Sequence, residues 1–226
     1  DKYNIGDINM AMKYLPFSVI ESRWFDEGND TVKSVFESIA SIHCNNSDAF
    51  LHHSFSEKNS LKIAFENCSK DKKTEVIYLA THGNSKVIGP DEVDISRTEL
   101  RNIISKVNTR KTIKGLFLGT CETGNEDIAR YLLEDKTTNL EWVAGYNSTI
   151  DWIDGTAMDM IFFSKLATQY NKNKTRRKNK FSARKMAHLA ASDLLKIVPG
   201  AFIGYGFNIY FHEKNNLTSM FISSVE

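Results

Sequence analysis

The chain has 226 residues, 41% hydrophobic and 25% charged, enough for one good-sized α/β domain with a substantial core. Its net charge of +1 gives no global electrostatic reason to bind nucleic acid or an anionic membrane. No run approaches the ~18 apolar residues of a membrane span, so no membrane partner is expected.

The amino terminus, DKYNIGDINM, lacks a basic region followed by an apolar one. It reads as a truncated or processed start and not as a signal peptide. Phe17–Phe25 (FSVIESRWF) is the first predicted strand. Asp30 then caps a helix whose apolar residues Val32, Val35, Phe36, Ile39 and Ala40 recur at helical spacing. Ala49–Phe55 is read as a second strand, with Ser56 capping a helix that buries Leu61, Ala64, Phe65 and Cys68. Cys68 is expected in the core, where free cysteine commonly lies. Glu75–Ala80 is the third strand, followed by a polar loop from Gly83 to Asp94. Ser96 and Glu99 form a capping box ahead of Leu100, Ile103, Ile104 and Val107. Ile113–Leu118 is the fourth strand, Asn125 caps a short helix, and Trp142–Tyr146 is the fifth strand. A longer helix carries Met160, Phe163, Ala167 and Tyr170, and another carries Met186 to Ile197 and stops at Pro199-Gly200. Ala201–Phe211 is read as the last strand.

Strands alternating with helices predict an α/β fold with a mostly parallel central sheet of about six strands and helices on both faces. With no internal repeat and no linker, residues 1–226 are read as a single domain. Cys44, Cys68 and Cys121 are an odd number without a CxxC. They predict neither a disulfide framework nor a thiolate metal site, and fit a reducing, cytoplasmic compartment.

Two of these strands end alike. EVIYLA runs into Thr81-His82-Gly83, and IKGLFLG runs into Thr120-Cys121-Glu122-Thr123-Gly124. In open α/β sheets the working site lies outside the carboxyl ends of the strands. An imidazole and a thiol at two such ends make a nucleophile and base, because imidazole or a helix amino terminus favours the thiolate. The backbone N–H groups of Gly83 and Cys121 are the candidate oxyanion donors, worth roughly 3 kcal/mol each where measured. Taken singly, each residue is more simply a polar loop histidine or a buried cysteine; the joint pattern decides for catalysis.

On these motifs the chain resembles the caspase-like cysteine peptidases, a superfamily that also holds metacaspases, separase and the bacterial CHAT-domain proteases. The spacing of 39 residues (121 − 82) is near the ~50 of caspases themselves. A fifth strand ending in Gly145-Tyr146 is similar to the caspase Gly-Tyr before the specificity loop. The resemblance implies a three-layer sandwich in which His82 is the general base or acid and Cys121 the nucleophile of peptide-bond cleavage. The caspase signature Gln-Ala-Cys-Arg-Gly is absent, which turns the resemblance towards the CHAT branch. Where caspases carry an arginine for a substrate aspartate, this chain has Asn147 to Asp151. Asp151, Asp154, Glu122 and Asn147 are therefore the candidate substrate-binding residues. An acidic pocket implies cleavage after Arg or Lys, although Asp154 also reads as a helix-start charge or cap. By the same resemblance the substrate is a protein, and a regulatory protein or further domain controls the cleft, in the CHAT branch as part of bacterial defence.

The remaining features point to no cofactor and no metal. Asp91, Glu92 and Asp94 match no calcium loop, and the other histidines lack ligand spacing. KNKTRRKNK (172–180) is a solvated turn in the simplest reading, with autocleavage or a nucleic-acid patch as alternatives. It lacks interleaved aromatics, so direct nucleic-acid binding by this domain is not expected. No Gly-rich phosphate loop follows any strand. The alternative from another class is a catalytically silent caspase-like interaction module.

Overall fold

The computed structural model describes residues 11–22, 31–90, 93–213 and 216–220. In chain order the elements are β1 (Phe17–Ser22), α1 (Lys33–Cys44), β2 (His52–Phe55), α2 (Lys58–Lys70) and β3 (Val76–Ala80). A small hairpin, β4 (Val87–Ile88) with β5 (Ile95–Ser96), precedes α3 (Arg97–Val107), β6 (Gly115–Gly119), α4 (Glu126–Leu133) and β7 (Trp142–Tyr146). Then come α5 (Trp152–Thr175), α6 (Ala183–Ile197), α7 (Ala201–Tyr205), β8 (Phe207–Glu213) and β9 (Asn216–Ser219).

Seven strands form one sheet in the order β2-β1-β3-β6-β7-β8-β9. The strands from β2 to β7 in that row are parallel. β8 runs antiparallel to β7, and β9 antiparallel to β8. Every residue of β1, β3, β6 and β7 is buried, because a parallel sheet is covered on both faces. That is why these strands read as unbroken apolar runs.

The strand order also decides where the helices lie. The chain steps one way from β1 to β2 and the opposite way from β2 to β3 and onwards. Right-handed crossovers then put α1 on one face and α2, α3 and α4 on the other. α5 and α6, between β7 and β8, complete the α1 face. Alternate residues of each strand serve the two cores. Phe17, Val19, Tyr78, Phe117, Trp142 and Tyr146 pack with Phe36, Phe162 and Phe163 of α1 and α5. Ile20, Ile77, Leu79, Leu116, Leu118 and Val143 pack with Leu61, Phe65, Leu100, Ile104 and Leu132 of α2 to α4.

The first of these cores is built on aromatic rings. Phe163 has its centroid 5.0 Å from those of Phe17 and Phe36, 5.2 Å from Phe117 and 5.4 Å from Tyr78. Such edge-on and tilted pairs add about 0.5–1.5 kcal/mol each beyond the area they bury.

Several expectations are corrected. The segment 201–211 is not strand throughout: Ala201–Tyr205 is the short helix α7, and Gly206, at φ +66°, ends it in the left-handed conformation before β8 begins. The second strand is limited to His52–Phe55. Helix α2 starts one residue later than a Ser56 cap would have it, because the Ser60 hydroxyl accepts the backbone N–H groups of both Ser56 and Glu57, each at 3.1 Å. The loop 83–94 contains β4, paired with β5. β9 makes the sheet seven strands instead of six. The Ser96–Glu99 capping box and the Asn125 cap are found as read. Asp30, Asp91, Glu92 and the end of the first predicted strand (23–25) lie outside the described residues.

The ring cluster makes a direct prediction. In urea unfolding, Phe163→Ala should cost about 3–5 kcal/mol, whereas Ile104→Val on the aliphatic face should cost about 0.5–1.5 kcal/mol.

Candidate active site

β3 and β6 are nearest neighbours and pair in register from Val76↔Gly115 to Ala80↔Gly119. Parallel strands lie about 4.8 Å apart, so Thr81-His82 and Thr120-Cys121 leave the sheet at one level from adjacent strands. Hydrogen bonds fix both exits. The Ser22 hydroxyl donates to Thr81 Oγ1 at 2.6 Å, tying the end of β3 to the end of β1. Beyond it, His82 opens the small hairpin: Gly89 N donates to its carbonyl and Asn84 N to the Val87 carbonyl, both at 3.0 Å. These two bonds flank the Gly83–Ile88 pair, which therefore exchanges none itself, and the Gly83 N–H faces away from the hairpin. A Cβ at Gly83 would come within 2.8 Å of the Thr123 methyl. The His-Gly turn thus rests against the turn that carries the cysteine.

That second turn is laced to the end of β7. Glu122, at φ +60°, donates its N–H to the Ser148 carbonyl at 3.3 Å, and Gly124 donates to the Tyr146 carbonyl at 2.8 Å. A Cβ at Gly124 would fall 2.2 Å from the Gly145 carbonyl carbon, so the crossing accepts only glycine. Asn125 closes the turn: its Nδ2 donates to the Glu122 carbonyl at 2.8 Å, and its Oδ1 accepts Ile128 N at 3.0 Å. The amino end of α4 therefore lies close behind Cys121. Its first turn carries Glu126 and Asp127, which complement the helix's positive end and diminish what it offers a thiolate.

Cys121 is half-buried, with Sγ 4.0 Å from the Ile150 carbonyl. It lines a cavity of about 50 Å³ with Val32, Tyr78, Tyr146, Trp152 and Asp159. Asp159 lies at the bottom of this cavity and is buried. Tyr78 of β3 donates to its Oδ2 at 2.5 Å, and Tyr146 of β7 to its Oδ1 at 2.6 Å. Burial pushes the Asp159 carboxyl up to about 7, against the two hydroxyl bonds, which favour the charged form. The Tyr78 ring reaches Asp159 across Gly119, where a Cβ would sit 2.4 Å from the tyrosine oxygen. A second buried carboxylate holds Val32, which lines the same cavity. Glu21 of β1 is buried and accepts Val32 N at 2.8 Å, the Thr31 hydroxyl at 2.6 Å and His52 Nε2 at 2.9 Å, fixing the entry to α1.

Of the four candidate substrate-binding residues, Asp151 lines the Cys121 cavity. It also caps α5, accepting Ile153 N at 2.9 Å. The Glu122 carboxylate accepts the Thr149 hydroxyl at 3.2 Å, above the same loop. Asp154 is exposed in the first turn of α5, outside the cavity lining. Asn147 is exposed and packs on the α7–β8 corner, where its N–H donates to the Gly206 carbonyl at 2.9 Å. The basic run 172–180 forms the end of α5 and the connection to α6. Among the described residues, no group of three or more His, Cys, Asp or Glu could hold a metal ion, and no helix is long and apolar enough to cross a membrane.

Sequence reasoning missed Asp159 and Glu21. The signal for Asp159 was present: it falls on the stripe Gly155, Met158, Phe162, Phe163 and Leu166 that α5 buries. An acid on such a stripe requires partners. No protein-family model matches the chain, and no curated protein matches it.

The Asp159 carboxyl makes stability depend on pH in a definite sense. An unperturbed carboxyl ionises near 3.8, so above that value the unfolded chain has released a proton that the folded chain keeps. The resulting stability is whole below about 3.8 and is lost as pH rises through about 7. Asn at this position holds one tyrosine through its oxygen and one through its NH₂, and does not titrate. Between pH 4 and pH 8, wild type should lose stability relative to Asp159→Asn by a few kcal/mol, since each tenfold change in a protonation equilibrium is worth roughly 1.4 kcal/mol. Urea unfolding across that pH range measures the loss.

Proposed function

We propose that this domain is a cysteine endopeptidase of the caspase-like superfamily, closest to the CHAT branch, acting through Cys121 and His82. The observation that carries the reading is the Ala80↔Gly119 register, which sends Thr81-His82-Gly83 and Thr120-Cys121 off adjacent strands at the same edge. In this mechanism His82 takes the thiol proton as Sγ bonds to the scissile carbonyl carbon, and returns it to the departing amine. Water, deprotonated by the same imidazole, then displaces the thiol from the acyl-enzyme. The backbone N–H groups of Gly83 and Cys121 hold the oxyanion. The strand order β2-β1-β3-β6-β7 with helices on both faces is compatible with the three-layer sandwich the resemblance implies. A protein substrate and a regulatory protein or domain are the partners of this reading, and bacterial defence its setting.

Two consequences are testable. Iodoacetamide should modify Cys121 ahead of Cys44 and Cys68, both buried, with the Cys68 thiol pushed up to about 12 by burial. His82→Ala should slow the labelling of Cys121 itself and lower peptide turnover by about 10²–10⁴-fold, while Cys121→Ala abolishes turnover. Uniform labelling of all three cysteines, with no cleavage of a peptide library, would sink the assignment. Of the four candidate substrate-binding residues, Asp151 is the one that shares the cavity lining with Cys121, and it is proposed to pair with a Lys or Arg before the scissile bond. Asp151→Asn keeps the helix cap and removes the charge. It should lower kcat/KM for such peptides by about ten- to a hundredfold, on the basis of about 1.5–3 kcal/mol for a charged hydrogen bond, and leave neutral peptides unaffected.

One observation favours a second reading. The cavity at Cys121 is only about 50 Å³, too small for an extended basic side chain. A silent interaction module fits that volume, as does a peptidase that opens only when its partner binds. Labelling at Cys121 with and without a candidate partner separates the two.

A further inference from the structure

At the other end of the parallel strands lies a cavity of about 460 Å³, nine times the volume of that beside Cys121. Its inner wall is the start of the sheet, where Glu75 N donates to the Pro16 carbonyl at 2.8 Å. Its outer wall is the end of α5 and the connection to α6. Four lysines line it: Lys13, Lys73, Lys174 and Lys180. None of them forms an ion pair with a carboxylate among the described residues. Lys73 instead places its Nζ 3.6 Å from the centroid of the Tyr14 ring.

Between the lysines the lining is mostly apolar. Tyr14, Tyr170 and Phe181 present rings, with Leu15 and Met186 among the other side chains, and Asn173 is held to the Phe181 backbone. The Arg176 guanidinium lies 4.0 Å from the Phe181 ring centroid and adds a further positive charge beside it. The single carboxyl, Glu75, accepts the Tyr170 hydroxyl at 3.2 Å. Burial pushes that carboxyl up from its usual range, and the four lysines outnumber it. Four like charges around one hollow repel one another, and an anion between them relieves that repulsion. Lysine is a compact point charge suited to phosphate, while the rings suit a planar apolar body. The volume falls within the roughly 300–1,000 Å³ of small-molecule sites.

We propose that this cavity binds a small aromatic phosphate, its phosphate among the four lysines and its ring against Tyr14 and Phe181. The site is independent of the peptidase reading, since no residue of the Cys121 cavity takes part in it.

The test is calorimetric titration of the whole chain with 1-naphthyl phosphate, and with inorganic phosphate as the ringless control. The aromatic phosphate should bind with one-to-one stoichiometry, about tenfold or more tighter than inorganic phosphate, a difference of about 1.4 kcal/mol or more, and more weakly as salt is raised. The double substitution Lys174→Ala with Lys180→Ala, both exposed, should weaken it at least tenfold. Lys178→Ala, in the same connection but outside the lining, should leave it unchanged, as should Cys121→Ala. Absence of saturable binding, equal affinity for the ringless phosphate, or an equal loss in Lys178→Ala would overturn the proposal.

Discussion

The structure depends most on the in-register pairing of β3 with β6. Because side chains alternate with a period of two, a slip of one residue between these strands would move each side chain to the other face. Here a slip would send Tyr78 or Phe117, depending on which strand moved, into the aliphatic core and leave the Phe163 cluster short of a ring. The chemistry of the faces therefore fixes the register, and the register fixes which residues emerge together at the carboxyl edge. The candidate site follows from a packing constraint elsewhere in the sheet.

The face carrying α1 and α5 pays for its rings with polar demands. A buried tyrosine hydroxyl must find a partner, and Tyr78 and Tyr146 share one, the Asp159 carboxyl. The arrangement requires the Tyr78 ring to cross the end of β6, which only a glycine at 119 permits. Gly119 thus has two duties: it lets the ring cross, and it ends the strand from which Cys121 emerges. Glu21 plays a comparable part on the other side, joining β1, β2 and the start of α1.

Much of this fold could be read in the sequence because the central strands are buried on both faces. VIYLA, GLFLG and WVAGY cannot be mistaken for half-exposed strands or amphipathic helices. The reading failed where local composition and tertiary context disagree. AFIGY is rich in β-branched and aromatic residues, yet it winds into a helical turn, since Pro199-Gly200 stop α6 just before it and Gly206 reverses the chain just after. NLTS is too short and polar to announce itself, and becomes a strand by pairing with β8. At the candidate site, Thr-His-Gly and Thr-Cys stood out because each ends a strand. Asp159 did not, because its partners lie 81 and 13 residues away and only the folded sheet assembles them.

Helix α5 has one more property. Its 24 residues span about 36 Å, reaching from the carboxyl edge of the sheet to the amino edge. Thr156 and Asp159 line the small cavity at its start, and Tyr170, Asn173 and Lys174 line the large one at its end. One continuous helix thus supplies a wall to each of two cavities at opposite edges of the sheet, so a shift of α5 along its own axis would be felt in both.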